Sequence, residues 1–168
     1  MNYQAVFLDR DGVINRWRAD YVKSIVEFEL LPGVPEAIAR LSAAGLPVVV
    51  ITNQSVIGRG LVIEETLTAI HRHMLSVMAA AGGRITDVLY CPHLPADGCD
   101  CRKPKPGLLL DAARRHNLDL RRCVLVGDEP NDMGAAAAAG CPALLIGTAE
   151  LPDLAAAVAR ILEKNARE

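Results

Sequence analysis

The sequence predicts a three-layer α/β fold, a Rossmann-like parallel sheet with helices on both faces. Three observations predict it. Short apolar runs alternate with longer amphipathic ones along the chain, the pattern of repeated strand–helix–strand units. Apolar residues make up 51% of the chain but aromatics only 4%, so the core must be built from Ala, Val, Leu and Ile, which suits a sheet buried on both faces. No repeat or linker divides the 168 residues, a length that fits one domain, 1–168, with a sizeable core.

The elements follow in order. Tyr3–Leu8 is a short apolar run that reads as a buried strand, and residues 9–32 read as a loop. Pro32-Gly33 opens a helix with Val34, Ala37, Ile38 and Leu41 on one face, stopped at Gly45. Leu46–Ile51, with three consecutive valines, is the second strand, and residues 52–62 form a polar, Gly-rich loop. Glu64 to about Ala81 is a helix with the stripe Leu67, Ile70, Met74 and Met78, ended by Gly82-Gly83. Ile85–Tyr90 is the third strand. Residues 91–106 hold four of the ten prolines and are expected to form no regular structure. Leu108–His116 is a helix, Cys123–Val126 a strand, Asn131–Ala139 a helix capped by Gly140, Pro142–Ile146 a strand and Leu151–Leu162 the last helix. The alanine run 135–139 lets its helix lie close to the sheet. His71, His73 and His116 read as solvated helix residues. Trp17 either lines a pocket rim or covers surface.

A net charge of -2 without a Lys/Arg cluster argues against nucleic acid as a partner. No apolar run reaches spanning length, so no membrane partner is expected. The start MNYQAVFLDRDG lacks the features of a signal peptide. The expectation is a cytoplasmic protein, whose five cysteines are then not read first as disulfides.

Reactive residues gather at strand ends, where ligands bind in such folds. Asp9 and Asp11 follow the first strand, Thr52-Asn53-Gln54-Ser55 the second; Arg102-Lys103 lies beyond the third; Asp128 follows the fourth, with Asp132 beyond it. Residues two apart on an extended segment share a face, so Asp9 and Asp11 can approach one phosphorus atom. One carboxylate can attack it as nucleophile; the other can give and take the proton. Carboxylate and phosphate repel, so a cation must bridge them. Magnesium takes oxygen ligands and usually one or two carboxylates; Asp9, the Asp11 backbone carbonyl and Asp128 can supply them. Thr52 can donate to a phosphate oxygen, and Lys103 can neutralise charge. A lone DxD is often only a turn or cap; the four motifs in this order, each beyond a predicted strand, are a much stronger signal.

Cys91, His93, Cys99 and Cys101 are spaced C-x-H-x5-C-x-C, a four-ligand set suited to structural zinc. Bound metal would order the loop of about 91–106 and so place Arg102 and Lys103. Free thiols or a disulfide to Cys91 are the alternatives. Cys123 and Cys141 read as buried, inert thiols.

This constellation closely resembles the haloacid dehalogenase superfamily of phosphohydrolases, over residues 5 to about 147. The resemblance implies Asp9 as nucleophile, Asp11 as general acid/base, Thr52 and Lys103 as the second and third motifs, Asp128 as metal ligand and Asp132 as supporting acid. The stretches between motifs leave no room for a large cap domain, so an open site is expected, ringed by 16–24, 54–60 and 91–105. DRDGVIN at 9–15, DYVKS at 20–24, TNQS at 52–55, GRG at 58–60 and CRKPKPG at 101–107 look most like the heptose 1,7-bisphosphate 7-phosphatases; CPHLPADGCDCRKPK also looks like the histidinol-phosphate phosphatases. The partner implied is a small phosphorylated metabolite, the heptose bisphosphate favoured, with Asn53, Gln54, Ser55, Arg59 and Arg102 as substrate-binding candidates and Arg102 meeting a remote phosphate. Where some heptose enzymes carry a lysine after the fourth-motif aspartate, Glu129 stands here. A monomer is expected. A non-catalytic phosphate-binding or zinc-scaffold protein is the reading from a different class.

Overall fold

A computed structural model describes residues 2–167; Met1 and Glu168, the ends of the predicted domain, lie outside the described residues. Five parallel strands form one sheet: β1 (Ala5–Leu8), β2 (Val48–Asn53), β3 (Asp87–Cys91), β4 (Cys123–Gly127) and β5 (Ala143–Leu145). Five helices join them: α1 (Val34–Ala43), α2 (Glu64–Ala80), α3 (Gly107–His116), α4 (Pro130–Ala139) and α5 (Leu154–Ala166).

Strand periodicity divides the core in two. Val6 and Leu8 of β1, with Val48, Val50, Val124 and Val126, face α1, α2 and α5. Ala5, Phe7, Val49, Ile51 and Leu125 face α3 and α4, because side chains alternate across a strand. β1 to β4 are nearly continuous apolar runs for this reason: both faces are covered. Ala135 and Ala136 of the alanine run are buried in the second layer, as a close helix–sheet contact requires. Cys123 and Cys141 are buried there as free thiols.

The strand order is β3-β2-β1-β4-β5. The chain leaves β1 in one direction through β2 and β3, then crosses back to place β4 on the other side. The switch point therefore lies between β1 and β4, where ligands bind outside the carboxyl ends of the strands.

Several boundaries differ from expectation. β1 begins at Ala5 rather than Tyr3, and β2 at Val48, because Leu46 still bonds back to Leu41 of α1. β2 also continues through Thr52 and Asn53, which pair with Tyr90 and Cys91, so those two residues are strand, not loop. β3 begins at Asp87 and ends on Cys91. The cysteine segment is not wholly irregular, since Pro95–Asp97 forms a 3-10 turn. β5 is shorter than predicted. α5 starts at Leu154 rather than Leu151, because the Asp153 side chain caps it by accepting from the Ala156 amide. Among the described residues no inserted cap domain covers the carboxyl edge of the sheet. Among the described residues no helix is long and apolar enough to cross a membrane.

Candidate active site

A cleft of about 230 Å³ opens at the carboxyl edge of the sheet, lined by Asp9, Asp11, Thr52, Lys103 and Asp132 in its floor and by Trp17, Arg59 and Arg102 nearer the rim. Asp9 directly follows β1 and Asp128 directly follows β4, so the two carboxylates flank the switch point. Gly12 makes their approach possible: its φ is +87°, and a Cβ there would overlap the Asp128 carboxylate. Gly127 does the same for Asp132, whose carboxylate occupies the space a side chain would need.

Lys103 lies at the centre of the floor, 3% exposed. Its Nζ is 2.8 Å from Asp9 Oδ1 and 2.6 Å from Asp132 Oδ1, and it donates to the Ile51 carbonyl at 2.9 Å. Burial works against its charge, but Asp9 and Asp132 outweigh it and raise its pKa. Asp132 is fully committed: its other oxygen accepts from the Asp128 and Glu129 amides at 3.2 and 3.1 Å. Asn53 grips the Lys103 backbone from both sides, donating to its carbonyl at 3.1 Å and accepting from its amide at 3.0 Å.

Asp11 is held differently. Arg10 Nη2 donates to both its oxygens, at 2.9 and 3.1 Å; Asn15 donates to Oδ1 at 2.9 Å and Gln54 to Oδ2 at 2.7 Å. Burial alone would raise the Asp11 pKa, but Arg10, Asn15 and Gln54 outweigh it and hold the carboxyl below its ordinary value. Gln54 also donates to Thr52 Oγ1 at 2.8 Å.

Among the described residues two clusters have the donor sets for a metal. Asp9, Asp128 and Asp132 place carboxylate oxygens within 4.8 Å of one another. With Asp132 engaged, Asp9 and Asp128 remain. Asp128 Oδ1 is buried without a hydrogen-bond partner. Burial, then Asp132 and Glu129, push its pKa up to about 6; burial pushes Asp9 to about 7 despite Lys103. Asp9 shares the Lys103 ammonium with Asp132, Asp128 Oδ1 has no partner, and an all-oxygen set of this kind fits magnesium.

The second cluster is Cys91, His93, Cys99 and Cys101. Cys91 Sγ is 3.5 Å from His93 Nδ1 and 3.6 Å from Cys99 Sγ; His93 Nδ1 is 3.3 Å from Cys101 Sγ. Tetrahedral zinc with Zn–S of about 2.3 Å and Zn–N of about 2.0 Å separates its donors by about 3.5–3.8 Å. The four side chains fit that ion. Burial and the neighbouring Cys101 and Cys99 thiols push Cys91 up to about 12, and a bound cation favours the thiolate. Arg102 donates to the His93 carbonyl at 3.3 Å and Lys105 to the Cys99 carbonyl at 2.7 Å, so residues on either side of the floor lysine are tied to the loop.

The predicted residues Asp9, Asp11, Thr52, Asn53, Ser55, Arg59, Arg102, Lys103 and Asp132 all line the one cleft. Gln54 is buried behind it, and Asp128 faces Asp9 from beyond Gly12. Trp17 and Arg18 are on the rim, as are Glu129 and Asn131, which the expected ring omitted. Arg59 lies over the Tyr21 ring at 5.4 Å. The prediction of solvated histidines is corrected at His71, which is 7% exposed and 3.2 Å from Arg10. It is one turn on from Leu67 and three residues before Met74, so the helical stripe itself carried that signal. His116 is half-buried and paired with Asp87 at 2.9 Å.

Known proteins resemble this chain in sequence and in fold. The model of the haloacid dehalogenase-like hydrolases matches residues 3–140. The D-glycero-beta-D-manno-heptose-1,7-bisphosphate 7-phosphatase of Bordetella bronchiseptica is 48% identical over 143 residues, 85% of this chain and 80% of that one. The enzyme of that name from Pseudomonas aeruginosa is 45% identical over 148 residues, 88% of this chain and 83% of its own. A crystal structure of the B. bronchiseptica D,D-heptose 1,7-bisphosphate phosphatase with magnesium and phosphate superposes with a TM-score of 0.91 at 43% identity, covering 96% of this chain and 99% of that one.

Proposed function

The chain belongs to the haloacid dehalogenase-like hydrolases and is a phosphatase, and on that premise we propose that Asp9 removes the 7-phosphate of D-glycero-D-manno-heptose 1,7-bisphosphate. The observation that carries the chemistry is the pairing at the switch point: Asp9 against Lys103 on one side and the unpartnered Asp128 carboxylate on the other.

Asp9 attacks phosphorus; the new P–O bond forms as the bond to the sugar oxygen breaks. Lys103 holds Asp9 Oδ1 and offsets charge on the phosphoryl oxygens, to which Thr52 donates. Arg10, Asn15 and Gln54 keep Asp11 ionised in the free cleft, so a phosphomonoester entering as its monoanion brings the proton that Asp11 passes to the departing alkoxide. Asp11 then takes a proton from water, the resulting hydroxide attacks the aspartyl-phosphate, and phosphate leaves with Asp9 restored. Asp9, Asp128 and the Asp11 carbonyl would hold magnesium, whose positive charge would let the two anions approach. Asp132 acts through Lys103 and the Asp128 amide.

The substrate reading is supported by the relatives' names and by Arg18, Arg59 and Arg102 on the cleft wall, where they can meet a second phosphate away from Asp9. Phosphate release from both anomers of the heptose bisphosphate and from histidinol phosphate, with magnesium, tests it. The heptose ester should lead by at least about tenfold in kcat/KM, about 1.4 kcal/mol. A preference for histidinol phosphate overturns the substrate, and no release from any ester overturns the catalytic reading.

A further inference from the structure

Arg10 is almost completely enclosed, at 1% exposure. A buried guanidinium is costly unless its N–H groups are matched. Nη2 is matched by the two oxygens of Asp11. Nη1 lies 3.2 Å from Nε2 of His71 on α2, and the Phe28 ring lies 5.9 Å from Cζ. Guanidinium nitrogens only donate, so His71 Nε2 must accept and its ring proton sits on Nδ1.

We propose that His71 and Arg10 form a positioning unit: His71 fixes the guanidinium, and the guanidinium sets the plane of the Asp11 carboxylate beside Asp9. Arg10 suits this task because it alone among the Asp11 partners touches both oxygens. Asn15 and Gln54 each hold one, and Gln54 is shared with Thr52. Burial, then the Arg10 charge, push the His71 pKa down to about 3, so the ring stays a neutral acceptor through the neutral range. The inference rests on the reading of Asp11 as the proton-transfer group. Small misplacements of such a group are costly, about a hundredfold for about 1 Å.

Two esters separate positioning from mere packing. The parameter kcat/KM covers the steps up to departure of the leaving group. A sugar alkoxide needs a proton to leave; 4-nitrophenolate does not. His71→Leu should lower kcat/KM at least about tenfold on whichever primary sugar phosphate the parent protein turns over fastest. On 4-nitrophenyl phosphate the loss should stay below about threefold, and on the sugar ester it should fall on kcat rather than KM. His71→Gln, whose Oε1 replaces Nε2 as acceptor, should restore most of the sugar-ester rate. If His71→Leu does not fold, Arg10→Lys carries the comparison, since a lysine keeps the charge but cannot reach both Asp11 oxygens and His71. Equal losses on the two esters, or a His71→Gln variant no better than His71→Leu, overturn the proposal. Asp11→Asn is measured alongside. If it shows no leaving-group dependence, the role given to Asp11 has failed and the proposal with it. If Asp11→Asn shows the dependence and the His71 and Arg10 variants do not, the positioning unit alone is wrong.

Discussion

The aspartate cleft and the cysteine loop lie side by side and are built on opposite principles. The cleft hangs on the ends of buried strands: Asp9 follows β1, Thr52 is within β2 and Asp128 follows β4, so packing of two apolar layers fixes its groups before any ligand arrives. The loop between β3 and α3 has almost no core of its own. Its 3-10 turn buries no residue, and what gathers it is four Cys and His side chains whose donor atoms lie within 4.8 Å of one another. Backbone entropy must be offset in both; the sheet does it with area, the loop with donors. Yet the loop supplies Lys103, the cation at the cleft's centre. The less self-sufficient region thus delivers a group that the more self-sufficient one cannot do without.

Asp9→Asn should separate chemistry from architecture most sharply. Turnover should fall by at least about 10^4-fold, while the thermal midpoint and zinc content stay near those of the parent protein, since Lys103 keeps Asp132 as its partner. Full activity in this variant would remove the nucleophile assignment. Next in size is loss of the loop's metal. About one zinc per chain is expected by elemental analysis. Cys99→Ser or chelation should abolish it, lower kcat/KM about 10- to 100-fold and expose residues 92–100 to protease, with the helix and sheet signals of circular dichroism retained. Collapse of the whole fold would show that the two regions are not separable.

The smallest effect is a pH slope. Burial, then Arg10, depress the His71 pKa from 6.5 to about 3 in the folded protein. Between those values the unfolded chain binds a proton that the folded one refuses. Its stabilising contribution is therefore complete above about pH 6.5 and is lost as pH falls toward 3, at up to about 1.4 kcal/mol per pH unit. Denaturant titrations at pH 7 and 5 should show His71→Gln losing less stability than the parent on acidification. An identical loss would mean that His71 is not buried as a neutral ring.

The sequence made the sheet, the helices and the cleft floor legible for identifiable reasons. Strands buried on both faces have to be apolar, so runs such as Val48–Ile51 and Cys123–Val126 announce themselves. Asp9, Thr52 and Asp128 were found because each stands where an apolar run gives way to a polar residue. The supporting residues were harder. Arg10 reads as a spacer between two aspartates, and its burial depends on His71, which is distant in sequence. Asn15 was hidden in a segment read as loop, although it is fully buried and bonds Asp11. Boundaries slipped where a side chain or a neighbouring strand decides them: Asp153 delays α5, and pairing with β3 prolongs β2.

The reciprocal grip of Asn53 on Lys103 has a consequence for how the family varies. The amide of Asn53 imitates a peptide group, so the end of β2 is stitched to the cysteine loop by one side chain meeting one stretch of main chain. Every residue except proline offers the same main-chain pair. Position 53 is therefore bound to asparagine whatever occupies position 103, while position 103 answers to two carboxylates and not to position 53. Two residues in direct contact, fifty apart in sequence, should show no covariation across an alignment of relatives. A contact map inferred from correlated substitutions would leave blank the stitch that joins the two sites.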